Sequence, residues 1–113
     1  MSNGKTVTFS EWQKLDLRVA RIREVKDHPQ ANKLYLLRVD LGSEERWLVA
    51  GLKPYYKKEE LENKLCIVFT NLEAALIRGV KSAGMLLAAG DEEQDRVLLI
   101  GPEKQIRLGS KVT

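Results

Sequence analysis

The sequence has one cysteine, one histidine and three prolines among its 113 residues, and each scarcity removes a class of protein. The single cysteine, Cys66, forms no internal disulfide and leaves a thiolate metal site short of ligands. In "KLCIVF" it sits among apolar residues and reads as a small core residue, the common fate of a free cysteine. The lone His28, followed by Pro29, belongs to no cluster of His, Cys or Asp at metal-ligand spacing. A histidine acting as a base needs a nucleophile and an orienting acid; a solitary one in a loop suits a hydrogen-bonding role better. No GxGxxG follows a strand and no GxxxxGKS/T occurs, so neither glycine-rich route to nucleotide binding is present. No metal, no cofactor and no catalytic activity are expected. Long apolar runs are missing as well. None approaches the roughly 20 residues that cross a bilayer, and the opening "MSNGKTVTFSEW" lacks the apolar centre of a secretory signal. Both absences point to the cytoplasm, with no membrane partner.

What is present is a small, charged, strand-forming chain. Hydrophobic residues make up 43% and charged residues 31%, the balance of one globular domain around one core. Four carboxylates are concentrated in "DEEQD" at 91–95, and setting them aside raises the charge of the remainder from +3 to +7. One acidic loop on an otherwise basic molecule gives a dipole that orients on a polyanion.

Residues 1–8 are small and polar and are expected to form a loose lead-in, with the domain occupying 9–113. In "FSEWQK", Ser10 and Gln13 have the spacing of a capping box on a short helix. "LDLRVARIREV" alternates apolar and polar residues as a half-buried strand does, with a phase slip at Ala20–Arg21 that suggests a bulge. "KDHPQANK" is a loop, since Pro29 is excluded from a central strand. "LYLLRVDLG" and "RWLVAGL" read as the second and third strands. "KPYYKKEELENK" becomes a loop and one short helix, ended near Asn63, which tolerates a left-handed backbone. "LCIVFTNL" and "GMLLAAG" are the fourth and fifth strands, followed by "RVLLIG" and the tail "PEKQIRLGSKVT". Trp12 and Trp47 are expected to fill the barrel or its end, and Tyr35 to lie in the core. The pattern is all-β: a five-stranded OB-fold barrel with one short helix between strands 3 and 4, a fold whose usual ligands are oligonucleotides and oligosaccharides.

Between the fourth and fifth strands lies "NLEAALIRGVKSAGML", residues 71–86. Arg78 and Lys81 flank Gly79, and Ser82 and Gly84 follow. Backbone beside a glycine approaches a phosphate closely, arginine and lysine neutralise it, and serine donates to an oxygen. A solvated hairpin tip accounts for the same residues equally well. Met85, among apolar neighbours, is expected to pack inward. Arg18, Arg21, Arg23, Lys33, Arg38 and the lysines at 53, 57 and 58 are scattered along the strands and loops, the last two close to glutamates 59, 60 and 62 that could pair with them. Aromatic residues are 6% of the chain, too few for a broad stacking platform, which favours shape and backbone recognition of a folded RNA.

"DLRVARI", "HPQANKLYLLRVDLG", "VAGL" with "YY" after it, and above all the RGVxSxGM block resemble the tRNA-binding domain family over almost the whole chain, from about Phe9. That family includes the C-terminal domain or detached beta subunit of methionyl-tRNA synthetases and free-standing dimeric tRNA-binding proteins. The resemblance implies an OB-fold that binds tRNA by shape, without a catalytic role. It implies RNA-facing positions at Lys33, Asn71, Arg78, Lys81 and Ser82, with Met85 shaping the loop. It further implies a C-terminal dimerisation extension, about 97–113, hence a homodimer, and a catalytic methionyl-tRNA synthetase chain as partner. "ANKL" stands where the family often has "ADKL", which removes a carboxylate and keeps Lys33. Two other readings stand beside this one: a free-standing dimeric tRNA-binding protein, and a protein-binding dimer of the secretion-chaperone type with the same fold.

Overall fold

A computed structural model describes residues 5–113. The loose lead-in expected over 1–8 therefore lies partly outside the described residues. The remainder of that segment ends at Thr8, which caps helix α1 (Phe9–Trp12). The capping box is Thr8 with Glu11, not Ser10 with Gln13: Thr8 Oγ1 accepts from the Glu11 amide at 3.1 Å, and Glu11 Oε1 accepts from the Thr8 amide at 3.1 Å. Gln13 instead forms the C-cap of this four-residue helix.

Strands β1 (Leu17–Asp27), β2 (Tyr35–Asp40), β3 (Glu45–Ala50) and β4 (Leu65–Phe69) follow, with helix α2 (Lys58–Leu61) between β3 and β4. Then come the hairpin of β5 (Ala75–Ile77) and β6 (Val80–Ser82), the short β7 (Met85–Leu86), which pairs with β4, and the hairpin of β8 (Ala88–Asp91) and β9 (Arg96–Leu99). The main sheet runs β3-β2-β1-β4-β7 and curls into a nearly closed five-stranded barrel. The OB-fold expected from the strand count, with its helix after the third strand, is the fold observed. "GMLLAAG" is divided, however. Only Met85 and Leu86 pair with β4, while 88–91 turn away to form a separate hairpin with 96–99.

The barrel is filled by Ala20, Ile22, Leu37, Val39, Leu48, Leu61, Cys66 and Val68. Cys66 is fully buried, and burial pushes its thiol up to about 12, so it stays a neutral packing group. Tyr35 belongs to this core and donates its hydroxyl to the Tyr56 carbonyl at 2.8 Å. α2 supplies Leu61, and Asn63 then takes the expected left-handed conformation, φ 68°. Lys58 does not pair with its neighbouring glutamates. A single-turn helix aims it across at Asp27, which Lys53 and Lys58 both contact at 3.0 Å.

The phase slip read at Ala20–Arg21 is no bulge. Alternation continues through it, because β1 is covered on both sides. Ala20 and Ile22 face the barrel interior, while Leu17 and Val19 join Ile67 in a second cluster on the outside. That outer cluster is roofed by Trp12 and Leu15 from the N-terminal segment and by Leu108 and Val112 from the tail. Trp12 is thus part of an external layer and not of the barrel. The true irregularity in the ladder lies between Ile22 and Glu24, where one extra residue, Arg23, bends the strand.

Candidate nucleic-acid interface

The barrel closes through the segment that joins β4 to β7. Ser82 is buried, 3% exposed. Its hydroxyl accepts from the Val49 amide at 3.0 Å and donates to the Gly84 carbonyl at 3.0 Å. The Ala83 amide donates to the Trp47 carbonyl at 3.1 Å. Arg46 completes the seam, donating to the carbonyls of Thr70 at 2.6 Å and Ala83 at 3.2 Å. Gly84 has φ +142° and lies so close that a Cβ would sit 3.0 Å from the Phe69 carbonyl oxygen. Ser82 and Gly84 therefore hold the hairpin on the barrel and are not presented to solvent. The sequence pattern carried no sign of Arg46 in this role; only its partners across the seam reveal it.

Held at its base, the β5–β6 hairpin projects a two-residue turn, Arg78-Gly79, with φ of 53° and 86°. Two consecutive positive φ values across the Ile77–Val80 pair make a type I′ turn, whose twist matches that of the flanking strands. Glycine suits the second position because of its φ of 86°, although a Cβ there would meet nothing within 4 Å. Arginine at the first is unusual, since a left-handed non-glycine residue is strained. Leu76 pairs with Lys81 on one face of the ribbon, and Ile77 with Val80 on the other.

His28 fastens this hairpin to the loop between β1 and β2. It is 5% exposed. Its Nδ1 accepts from the Gln30 amide at 3.0 Å, so the ring proton lies on Nε2, which donates to the Ile77 carbonyl at 3.0 Å. Arg78 adds a second tie, its Nη2 donating to the Gln30 carbonyl at 3.3 Å. The loop that carries exposed Lys33 is thereby bound to the tip that carries exposed Arg78 and Lys81. Of the remaining candidates, Asn71 lies at the root of the hairpin. Its Oδ1 accepts from the Asp16 amide at 2.8 Å and its Nδ2 donates to the Lys14 carbonyl at 2.6 Å. Met85 is 45% exposed rather than packed inward, because β7 is an edge strand and Met85 sits beside Phe69 on its outer face.

Several arginines of the barrel strands are paired with carboxylates. Arg18 is held by Asp16 at 2.6 Å, Arg23 by Asp40 at 2.8 Å and Arg46 by Glu44 at 2.6 Å. Arg38 lies between Glu24 at 3.1 Å and Glu45 at 2.9 Å. The Gly42 amide and Arg23 together hold the Asp40 carboxyl below its ordinary pKa, and a hydrogen bond from Arg38 does the same for Glu24. Among the described residues, Lys33, Arg78 and Lys81 have no carboxylate within 4.0 Å. Arg18, Arg23, Arg38 and Arg46 are thus internally neutralised, whereas Arg21 on the same sheet donates, among the described residues, only to the Asn63 carbonyl at 2.7 Å; the cations of the two tied loops are free for an outside anion. Trp47, expected in the barrel, is instead 37% exposed on the outer face of β3. No group of three or more metal-ligating side chains occurs among the described residues.

An OB-fold with free cations on the β1–β2 loop and the β4–β7 connection has the form of an oligonucleotide-binding barrel, since those loops and the face of strands 2 and 3 are where such barrels hold nucleic acid. Comparison with known proteins gives the family. Residues 17–111 match the model described as "Putative tRNA binding domain", and the chain belongs to that family. It is 59% identical to the methionine–tRNA ligase of Pyrococcus horikoshii over 106 residues, 94% of this chain but 14% of the ligase. The ligase of Methanocaldococcus jannaschii is 47% identical over the same share of the chain and 16% of its own length. The chain thus spans about a seventh of these relatives. Among solved structures, a methionyl-tRNA-synthetase-related protein from P. horikoshii superposes with a TM-score of 0.89 at 32% identity, covering 96% of this chain and 99% of that one. The CsaA chaperone of Picrophilus torridus superposes with a TM-score of 0.86 at 31% identity, covering 96% and 100%.

Proposed function

We propose that the chain is a non-catalytic tRNA-binding module that serves a methionyl-tRNA synthetase in the cytoplasm, either as its C-terminal domain or as a detached subunit. Arg78 and Lys81 on the hairpin and Lys33 on the adjoining loop grip the phosphate backbone. Asn71 sets the root of the hairpin, Ser82 holds it to the barrel, and Met85 lies beside that root. The observation that carries the reading is the tie through His28: it fastens the loop of Lys33 to the hairpin of Arg78 and Lys81, three exposed cations none of which has a carboxylate within 4.0 Å among the described residues. Because the loop and the hairpin are already tied together, less backbone ordering entropy is lost on contact. A module of this kind raises the local concentration of tRNA near a tethered catalytic chain.

The working form is a homodimer, joined through the tail at about 97–113. Leu98, Ile100 and Ile106 support this, being 49%, 44% and 50% exposed. A second reading, a protein-binding dimer of the chaperone type, is favoured by the exposed apolar groove that Val7, Phe9, Trp12 and Leu15 line beside α1 and by the likeness to CsaA.

Binding of total tRNA and of a length-matched unstructured RNA, measured over a salt series, tests the proposal. Wild type should prefer folded tRNA. Arg78→Ala/Lys81→Ala should weaken binding and make the salt slope shallower by about one to two units. Equal, weak binding of both RNAs, unchanged by the mutations, would move the search to protein partners.

A further inference from the structure

Trp47 projects from the outer face of the barrel, and its surroundings are not those of a residue that merely failed to be buried. It lines a cleft of about 350 Å³ together with Lys26, Leu36, Leu48 and Val80, near the lower end of the range for small-molecule sites. Its cross-strand partner Arg38 is held by Glu24 and Glu45 and has little charge to offer. Lys26 is different. Its ammonium reaches Glu24 only at 3.5 Å and lies over the Trp47 ring, 5.2 Å from the centroid. The cleft is otherwise apolar, holds no carboxylate, and has one wall, Val80, supplied by the hairpin whose turn carries Arg78.

We propose that this cleft receives one unstacked base of the RNA bound at the hairpin, with the base stacked on Trp47 and Lys26 meeting its phosphate. The inference rests on the RNA-binding reading above and adds a second contact to it. An exposed cation–π contact is weaker than a base stacked on an aromatic ring, so an arriving base displaces the ammonium and leaves it beside the backbone that the base brings with it. Leu36, Leu48 and Val80 then exclude water from the edge of the base without requiring a hydrogen-bonding pattern, so the slot accepts any base that the folded RNA leaves unpaired within reach.

The test uses the full chain carrying Trp12→Phe, so that Trp47 is the one tryptophan. Total tRNA is titrated while Trp47 emission is followed, and the affinities of this protein, Trp47→Ala, Trp47→Phe and Arg78→Ala/Lys81→Ala are read with fluorescently labelled tRNA. Stacking should quench Trp47 emission at saturation. Trp47→Ala should weaken binding by about 5- to 150-fold, and Trp47→Phe should restore most of the loss. Trp47 lies on the outer face and is 37% exposed, so its removal opens no cavity inside the barrel; thermal midpoints of Trp47→Ala and Trp47→Phe show that both remain folded at the temperature of the titration. Unaltered emission at saturating tRNA overturns the slot, as does wild-type affinity in Trp47→Ala where Arg78→Ala/Lys81→Ala still weakens binding. A change of emission with an apolar peptide and none with RNA overturns it in favour of a protein ligand. Absence of saturable tRNA binding in every form, wild type included, identifies failure of the RNA reading itself.

Discussion

Replacing Arg78 by asparagine sets the stability of the hairpin against its use. At φ 53° the Arg78 backbone lies in the left-handed region, which costs an ordinary L-residue about 1–2 kcal/mol and asparagine less. Asn-Gly is also the favoured pair for a type I′ turn. Against that gain stands the loss of the bond to the Gln30 carbonyl, a single exposed contact at 3.3 Å, at the long end of useful geometry and worth about 0.5 kcal/mol or less. The balance leaves Arg78→Asn more stable by about 0.5–1 kcal/mol, which for a domain of this size raises the thermal midpoint by roughly 2–5 °C. The same change removes one unneutralised cation, so tRNA affinity should fall and the salt slope should decrease by about one. Thermal unfolding by circular dichroism and tRNA binding at several salt concentrations read the two effects separately. A variant that is destabilised would refute the argument from backbone strain. A variant that keeps wild-type affinity and slope would refute the assignment of Arg78 to the phosphate grip.

Ser82→Ala removes a buried hydroxyl and orphans the Val49 amide, so stability should fall by about 1–3 kcal/mol and hydrogen exchange at Val49 should accelerate. Unchanged stability and exchange, with lost RNA binding, would instead show the hydroxyl acting on the ligand. Acid should weaken the fold through Asp40: the Gly42 amide and Arg23 lower its folded pKa below the unfolded value, so its contribution is complete above the unfolded pKa, near 4, and is lost as pH falls through the folded one. In Asp40→Asn the midpoint should therefore decline less between pH 5 and pH 2 than in wild type, and a parallel decline would refute this contribution.

The fold was legible wherever one rule acted alone. Alternation in β2 needs no context, and Tyr35, Leu37 and Val39 point inward as their spacing predicts. It misled where two layers meet. Leu17, Val19, Ala20 and Ile22 are buried on opposite sides of one strand, and a pattern built for one buried face reads that as a slip. The capping box illustrates a second limit, since Thr8–Glu11 and Ser10–Gln13 have the same spacing and only the path of the chain after Trp12 decides between them. In the candidate site, the hairpin and its two cations were visible as a charged interruption between apolar runs. Ser82 was visible as a residue but not as a strut, because its partner Val49 is 33 positions away. For Trp47, expected to fill the barrel or its end, the exposure follows from its pairing with Arg38 on the outer face, which requires the register of β2 on β3.

The second cluster, outside the barrel, has a consequence for attachment. Trp12 and Leu15 from one end of the chain and Leu108 and Val112 from the other lie over the same patch of β1 and β4, and Lys111 bridges to Arg18 there. Both terminal segments of the described chain pack on this outer layer, whereas the hairpin tip is fastened to the β1–β2 loop. A tether can therefore change in length, or pass from one end of the domain to the other, without being threaded through the loops that carry Lys33, Arg78 and Lys81.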